Sequence, residues 1–260
     1  MQRHTIDGIT FTGDLEGAVR FGFTERTGGV SLSPYASLNL GMNVGDDPEA
    51  VRENRRRALA ALGAGTLIDE LVVPSQVHGD HIVLVDSADP LDLARARSEA
   101  RDGADAVVCT VPGIPVLLCF ADCVPVILTL GDRGFAVVHS GWRGTYARIA
   151  AKAARVLASA VGASTSEIKA YIGPHILGDE YEVSTKLLHK FSLEFANIRR
   201  SDDRLLDLSS AIRLSLEESG VPRCEIHDPL LSTMRQNERF FSYRKENGIC
   251  GRHGAIAYLS

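Results

Sequence analysis

Apolar and polar positions along this chain follow two periods, one typical of helices and one of strands. Asp46-Asp47-Pro48-Glu49 predicts a helix start, because an acidic N-cap, an early proline and a first-turn carboxylate suit a helix N-terminus. An apolar stripe follows, and Gly63 ends this helix. A second stripe predicts a helix over 146–160. Two more helices are predicted from the stripes Val183, Leu187, Leu188, Phe191, Phe195 and Leu208, Ala211, Ile212, Leu216.

Short apolar runs predict buried strands in the middle of the chain, at 71–73, 81–85, 106–110, 116–120, 126–130, 135–139 and 169–172. Gly131-Asp132-Arg133-Gly134 has the composition of a hairpin turn. Because many of these runs follow one another without a helix between them, at least part of the sheet is expected to be antiparallel. The tail, 240–259, is expected to add strands. We see no linker, so the pattern predicts one α+β domain over residues 1–260, with helices covering mixed sheets.

Composition narrows the class of protein. Of the 260 residues, 45% are hydrophobic and 23% are charged, which allows a large core without disulfide bonds. The net charge of -5 disfavours a nucleic-acid partner. An apolar segment long enough for a signal peptide or a membrane span is not expected. Five cysteines without a Cys-x-x-Cys pair predict a reduced, cytoplasmic protein.

Candidate chemistry lies at turns next to the apolar runs. His78, Cys123 and His139 each stand beside a glycine, a proline or a strand end. Two imidazoles and a thiolate suit zinc and leave its fourth position free for a substrate. The alternatives are a small buried thiol at Cys123 and hydrogen-bonded structural histidines. Asp122 can share a site with Cys123 only if the backbone turns between them, since neighbours on a strand point to opposite faces.

Other polar residues stand in turn-like settings. Arg26, Arg143 and Arg244 carry guanidinium forks that suit phosphate or carboxylate, although a surface ion pair is the alternative for each. Asn39 could bind a ligand or organise its own turn. The glycines are too scattered for a dinucleotide fingerprint or a P-loop.

Several motifs in a fixed order then resemble one family, the laccase-domain or multicopper polyphenol oxidase proteins. Its members are also described as zinc-dependent purine nucleoside phosphorylases, and they include the peptidoglycan-editing factor. The matching segments are Thr24-Glu25-Arg26-Thr27-Gly28-Gly29-Val30-Ser31, Ser37-Leu38-Asn39-Leu40-Gly41, Val44-Gly45-Asp46-Asp47, Gln76-Val77-His78-Gly79, Ala121-Asp122-Cys123-Val124-Pro125, His139-Ser140-Gly141-Trp142-Arg143-Gly144, Ile172-Gly173-Pro174 and Phe240-Phe241-Ser242-Tyr243-Arg244.

The resemblance implies a four-layer α/β/β/α sandwich and one zinc ion held by His78, Cys123 and His139. It also implies phosphorolysis of adenosine, inosine, guanosine or methylthioadenosine, with adenosine deamination as a second activity. Purine nucleosides and inorganic phosphate would then be the partners. Arg26, Asn39, Arg143 and Arg244 are the candidate substrate and phosphate ligands, and Asp122 is the candidate proton carrier.

The older oxidase description fits the residues less well. A multicopper site usually needs His-x-His pairs, and this chain has eight histidines without such a pair. A nitrogen and sulfur donor set therefore favours zinc over copper.

Two other functions remain open at this point. One is a Cys-His hydrolase, an amidase that edits peptidoglycan precursors, in which His139 would activate Cys123. The other is a metal-stabilised binding protein without enzymatic activity.

Overall fold

The computed structural model describes residues 1–195, 198 and 204–260. Its strands are β1 (Gln2–Ile6), β2 (Ile9–Asp14), β3 (Val19–Thr24), β4 (Ile82–Val85), β5 (Ala106–Cys109), β6 (Val116–Phe120), β7 (Val124–Thr129), β8 (Phe135–Ser140), β9 (Lys169–Ile172), β10 (Ile226–His227) and β11 (His253–Leu259). Its α-helices are α1 (Pro48–Ala61), α2 (Pro90–Gly103), α3 (Trp142–Tyr146), α4 (Ile149–Ala160), α5 (Thr185–Glu194) and α6 (Leu208–Glu218). Short 3-10 helices cover Met42–Val44, Gly65–Glu70, Thr165–Glu167 and Arg223–Glu225.

The strands form two sheets. One has the order β1-β2-β3-β11-β6 and is antiparallel throughout. The other has the order β10-β9-β7-β8-β5-β4 and is mixed, because β4 pairs with β5 and β10 with β9 in parallel. Antiparallel pairing, which the sequence predicts for at least part of the sheet, therefore occurs in both sheets, and only the six-stranded one is mixed.

Side chains alternate between the two faces of each strand, and the clusters in which they pack show how the sheets are stacked. Leu118 and Phe120 of β6 pack in one buried cluster with Val107 and Val137 of the other sheet, so these side chains fill the space between the sheets. Leu117, one residue along, packs instead in the cluster that contains Ala58 and Leu59 of α1. Strand neighbours point to opposite faces, and α1 therefore covers the outer face of the first sheet.

Helices also cover the outer face of the six-stranded sheet. Val126 of β7 and Val138 of β8 pack there with Leu157 of α4 and Ile212 of α6. The order is then helix, sheet, sheet, helix, which confirms the expected four-layer α/β/β/α sandwich. Among the described residues, no helix is both long and apolar enough to cross a bilayer.

Local differences from the predicted elements have clear causes. The predicted helix start is confirmed, since the Asp47 side chain accepts a hydrogen bond from the Glu49 backbone at 3.0 Å. The helix predicted over 146–160 begins later, as α4 at Ile149, because Arg148 adopts a left-handed φ of 61°, and the separate helix α3 ends at Tyr146. Helix α2 was not predicted. The segment 240–252 forms turns, so the expected tail strands reduce to β11, and 71–73 makes only an isolated bridge from Val72 to Val116.

Candidate active site and metal centre

His139 reaches the site because of the alternation along β8. Phe135 and Val137 of this strand pack between the two sheets. His139 has the same parity, so it lies at the end of the layer between the sheets, 3% exposed. Its ring contacts Phe120, with ring centroids 5.4 Å apart.

Cys123 lies in the turn between β6 and β7. Asp122 has a φ of 88°, a conformation that few residues other than glycine adopt, and the chain bends here as it passes from one sheet to the other. This is the turn that the sequence required if Asp122 and Cys123 were to share a site. Both residues line the same cavity.

His78 lies on a loop, and a buried carboxylate holds this loop in place. Asp105, which is fully buried, accepts hydrogen bonds from the backbone N–H groups of Val77 at 3.3 Å, His78 at 3.0 Å and Gly79 at 2.6 Å. His78 itself has a φ of 58°, so these bonds stabilise a conformation that is otherwise uncommon.

Asp105 also orients His139. Its Oδ1 lies 2.7 Å from Nδ1 of His139, and its backbone carbonyl accepts from the His139 N–H at 2.7 Å. A carboxylate can only accept, so Nδ1 carries the hydrogen and Nε2 is left to bind a metal. Sequence reasoning missed Asp105. The available signal was an acidic residue directly before a buried strand, where a charge needs a partner.

His78, Cys123 and His139 form one group. Their ligand atoms all lie within 4.8 Å of one another. Burial alone disfavours the Cys123 thiolate, but the charge of His139 and hydrogen bonds from both imidazoles outweigh it and lower the pKa of Cys123 to about 6. Burial likewise disfavours imidazolium at His139, whereas Cys123 and Asp105 raise its pKa to about 9. A thiolate is therefore available as a ligand.

The donor set and the space around it fit a metal ion. A Cβ atom at Gly141 would lie 3.2 Å from Cys123 Sγ and 3.3 Å from His78 Cδ2, so a side chain at this position would crowd two of the three ligands. His78 is exposed, Cys123 is half-buried and His139 is buried. The group is therefore open on one side, where a further ligand could enter.

The group opens into a cavity of about 840 Å³. Arg143 and Arg244, two of the predicted phosphate ligands, line this cavity together with Asp122. Arg143 stacks on Trp142, with its guanidinium carbon 4.6 Å from the ring centroid. Arg244 donates to the Glu182 carbonyl at 3.2 Å and lies over Tyr181. A ligand anion could approach both guanidinium groups.

Arg26 and Asn39 are outside the cavity lining. Arg26 forms an ion pair with Glu246 at 3.1 Å and lies over the ring of Phe241, 4.2 Å from its centroid. Asn39 is fully buried, and its side chain bonds to the backbone of Gly41 and to Asp46. Both residues hold loops together. A direct contact of either with substrate would require rearrangement of these bonds.

Asp122 uses both carboxylate oxygens. Oδ1 accepts from the Thr233 hydroxyl at 2.6 Å, and Oδ2 accepts from the Arg244 backbone N–H at 2.7 Å. Asp122 therefore fixes the segment that carries Arg244 beside the metal group. Gln76 and Tyr243 also line the cavity; both belong to the matching segments, but no role was predicted for them. Further cavity residues that sequence reasoning missed are Arg55, Tyr181 and Arg252. No local motif marks them, because they meet only when distant segments are folded together.

Two stacked sheets between helices, with a His-Cys-His group at the end of the layer between them, define an α+β protein with a metal-capable site. The chain belongs to the family described as Multi-copper polyphenol oxidoreductase laccase, which matches residues 20–260.

Named relatives extend this result. A purine nucleoside phosphorylase of Corynebacterium glutamicum is 36% identical over 93% of this chain and 94% of its own length. The purine nucleoside phosphorylase YlmD of Geobacillus stearothermophilus is 33% identical over 89% of this chain and 86% of its own length.

Solved structures show the same fold. The crystal structure of YlmD from Geobacillus stearothermophilus superposes with a TM-score of 0.87 and 30% identity, covering 98% of this chain and 97% of that one. The Bacillus licheniformis hypothetical protein YfiH gives a TM-score of 0.86 and 28% identity, with the same coverage.

Proposed function

We propose that this protein is a zinc-dependent purine nucleoside phosphorylase, with adenosine deamination as a second activity. The observation that carries the proposal is the convergence of His78, Cys123 and His139 within 4.8 Å at the wall of an arginine-lined cavity. The names of the relatives at 36% and 33% identity support the same reaction. Adenosine, inosine, guanosine and methylthioadenosine are the proposed substrates, and residues 1–260 are proposed to act as one cytoplasmic domain.

His78, Cys123 and His139 would hold the ion. Nitrogen and sulfur donors suit zinc. Because the described residues supply only three protein ligands, the fourth coordination position of zinc would stay free for catalysis. When bound, zinc would supply a Lewis acid that polarises a water molecule or a substrate atom. Asp105 keeps both histidines in place through its bonds to His139 and to the loop of His78.

Phosphorolysis exchanges one bond at the ribose. A phosphate oxygen bonds to C1′ while the bond from C1′ to the base breaks, and the leaving base takes a proton. Arg143 and Arg244 are proposed to hold the phosphate dianion. Among the described residues, the Arg143 side chain makes no hydrogen bond and the Arg244 side chain makes only one, to the Glu182 carbonyl. Asp122 is the proposed proton carrier, and it is also the residue that fixes Arg244 through the backbone.

The direct test combines a metal measurement with an assay. The purified protein is analysed for bound metal, and base release from inosine is measured with and without inorganic phosphate. We expect about one zinc per chain, phosphate-dependent release of hypoxanthine, and loss of both in Cys123→Ser. Zinc-loaded protein that turns over none of the four nucleosides would reject this function.

One observation favours a second candidate, the Cys-His hydrolase. His139 contacts Cys123 on one side and Asp105 on the other, which is the order of a nucleophile, a base and an orienting carboxylate. Such an enzyme would cleave an amide, as in editing of peptidoglycan precursors. A chelator would spare this reaction and abolish the zinc reaction. Iodoacetamide would label Cys123 in the protein as purified only if the thiol carries no metal.

A further inference from the structure

Two arginines that the proposed reaction does not use lie together in the cavity wall. Arg55 extends from α1, and its Nε and Nη2 both donate to the Leu40 carbonyl, at 3.0 and 2.8 Å. Arg252 precedes β11, and its Nη1 donates to the carbonyls of Cys250 at 2.8 Å and Gly251 at 2.9 Å. Backbone carbonyls fix these guanidinium groups but leave their charge uncompensated. Both residues line the cavity.

One short segment, Asn39-Leu40-Gly41, joins them. The Leu40 N–H donates to the Arg252 carbonyl at 2.9 Å, and the Arg252 N–H donates to Asn39 Oδ1 at 2.8 Å. Burial raises the pKa of the Cys119 thiol, and the charges of Arg55 and Arg252 both oppose that rise, so both act on the same sulfur. We call these residues the Arg55–Arg252 pair.

The charges around the cavity do not balance. Among the lining residues that the structure describes, Arg55, Arg143, Arg244 and Arg252 are positive, and Asp122 is the single carboxylate. Asp122 already accepts hydrogen bonds from Thr233 and from the Arg244 backbone. Phosphate on Arg143 and Arg244 would leave the Arg55–Arg252 pair without a counter-charge, and a neutral nucleoside cannot provide one.

We propose that the Arg55–Arg252 pair binds a phosphate group carried by a substrate, so that the cavity takes purine nucleoside 5′-monophosphates beside the free nucleosides and binds the monophosphates more tightly. The purine nucleoside part of this ligand rests on the proposed function. The substrate phosphate would take no part in the exchange at C1′. Two guanidinium forks in fixed positions suit a dianion with several acceptor oxygens. The cavity, at about 840 Å³, falls within the range of ligand sites and has room for a nucleotide.

The test is equilibrium binding by calorimetry to the metal-loaded, full-length protein. The probes are adenosine, adenosine 5′-monophosphate and inorganic phosphate. The variants are Arg55→Gln and Arg252→Gln, in which an amide can still donate to the carbonyls that hold each arginine. Arg52→Gln is the matched control, because Arg52 lies on the same helix but is exposed and pairs with Glu49. Thermal unfolding verifies that each variant is folded.

We expect the monophosphate to bind at least about tenfold more tightly than adenosine, since it gains charge-assisted hydrogen bonds. Each cavity variant should lose most of that advantage and keep the Kd for adenosine, whereas Arg52→Gln should change neither. Equal affinity for the two ligands would overturn the inference but leave the proposed function standing. The inference would also be overturned if the variants bound inorganic phosphate more weakly but bound the monophosphate as before, because the pair would then hold the co-substrate. Binding of neither adenosine nor the monophosphate would overturn both proposals.

Discussion

Asp105 Oδ1 lies 2.7 Å from His139 Nδ1, and the same carboxylate accepts the backbone N–H of His78 at 3.0 Å. One buried side chain therefore positions two of the three metal-capable residues, although 27 positions separate it from His78 and 34 from His139. Burial alone would raise the pKa of Asp105, but hydrogen bonds from His139 and from the loop keep it below its usual value. Asp105 is therefore an ionised carboxylate when it positions His78 and His139.

Asp105→Asn tests this role. The amide keeps the shape but loses the charge that orients the His139 ring, so we expect metal affinity to fall by about 10- to 100-fold, as for other residues that support metal ligands. A chromophoric chelator in competition measures the affinity. Asp80→Asn is the control, because Asp80 lies on the same loop but is half exposed and pairs with Lys152. Unchanged affinity in Asp105→Asn would show that the contact is not needed to hold the ion.

Gly141→Ala tests the space among the ligands. The Gly141 backbone, with φ -71° and ψ 175°, accepts alanine without strain. Its Cβ would approach Cys123 Sγ to 3.2 Å and His78 Cδ2 to 3.3 Å, so the ligands must move apart. We expect lower metal content and about tenfold slower base release, with little change in the melting temperature of the metal-free protein. Gly79→Ala is the control, since its Cβ would meet nothing nearer than 3.5 Å. Full metal content in Gly141→Ala would contradict this prediction.

Arg143 and Arg26 should differ although both were predicted to bind phosphate. Arg143→Met removes an exposed guanidinium of the cavity wall, and we expect the KM for phosphate to rise by about tenfold or more with little effect on stability. Arg26→Met breaks the ion pair with Glu246 and three further side-chain hydrogen bonds or ring contacts, so we expect a lower melting temperature and an unchanged phosphate KM. Steady-state kinetics beside thermal unfolding separates the two effects. A raised KM in a well-folded Arg26→Met variant would restore Arg26 to the substrate site.

Glu25 gives a prediction for pH. It is 2% exposed and accepts from Arg3 and Arg239. Burial raises its pKa, but these two arginines outweigh burial and lower it below the ordinary value of 4.5. A depressed pKa means that the unfolded state takes up the proton first, so the stabilisation is complete above about pH 4.5 and is lost as pH falls further.

Glu25→Gln should therefore destabilise the protein near pH 7 by about 1–2 kcal/mol, less than for a fully buried pair because Arg3 is largely exposed. The difference from the parent protein should shrink at low pH, where both side chains are neutral. Thermal unfolding from pH 3 to 7 measures both, with exposed Glu49→Gln as the control. A difference that stays constant across this range would show that the charge of Glu25 is not what stabilises the fold.

Local chemistry in the sequence determined much of the fold. The Asp47 cap and Pro48 define the start of α1 because they satisfy and preset its first turn. Continuous apolar runs marked β5 to β8 because strands buried on both faces need apolar residues throughout. The sequence also identified the three metal-capable residues as candidates, because each histidine or cysteine stands beside a glycine, a proline or a strand end. The resemblance to a family supported the same three residues.

Only the tertiary structure decided which distant residues share the site. Helix α2 was missed because most of its residues are polar and its apolar stripe is narrow. The stripe packs at the edge of the sheets and consists of Leu93, Ala96 and Ala100. Arg55 and Arg252 line the cavity while Arg26 pairs with Glu246, and nothing local to these arginines distinguishes them. A side chain's nearest neighbours along the chain set its backbone conformation. Its partners in the site depend on how the two sheets stack, which brings residues far apart in sequence within hydrogen-bond distance.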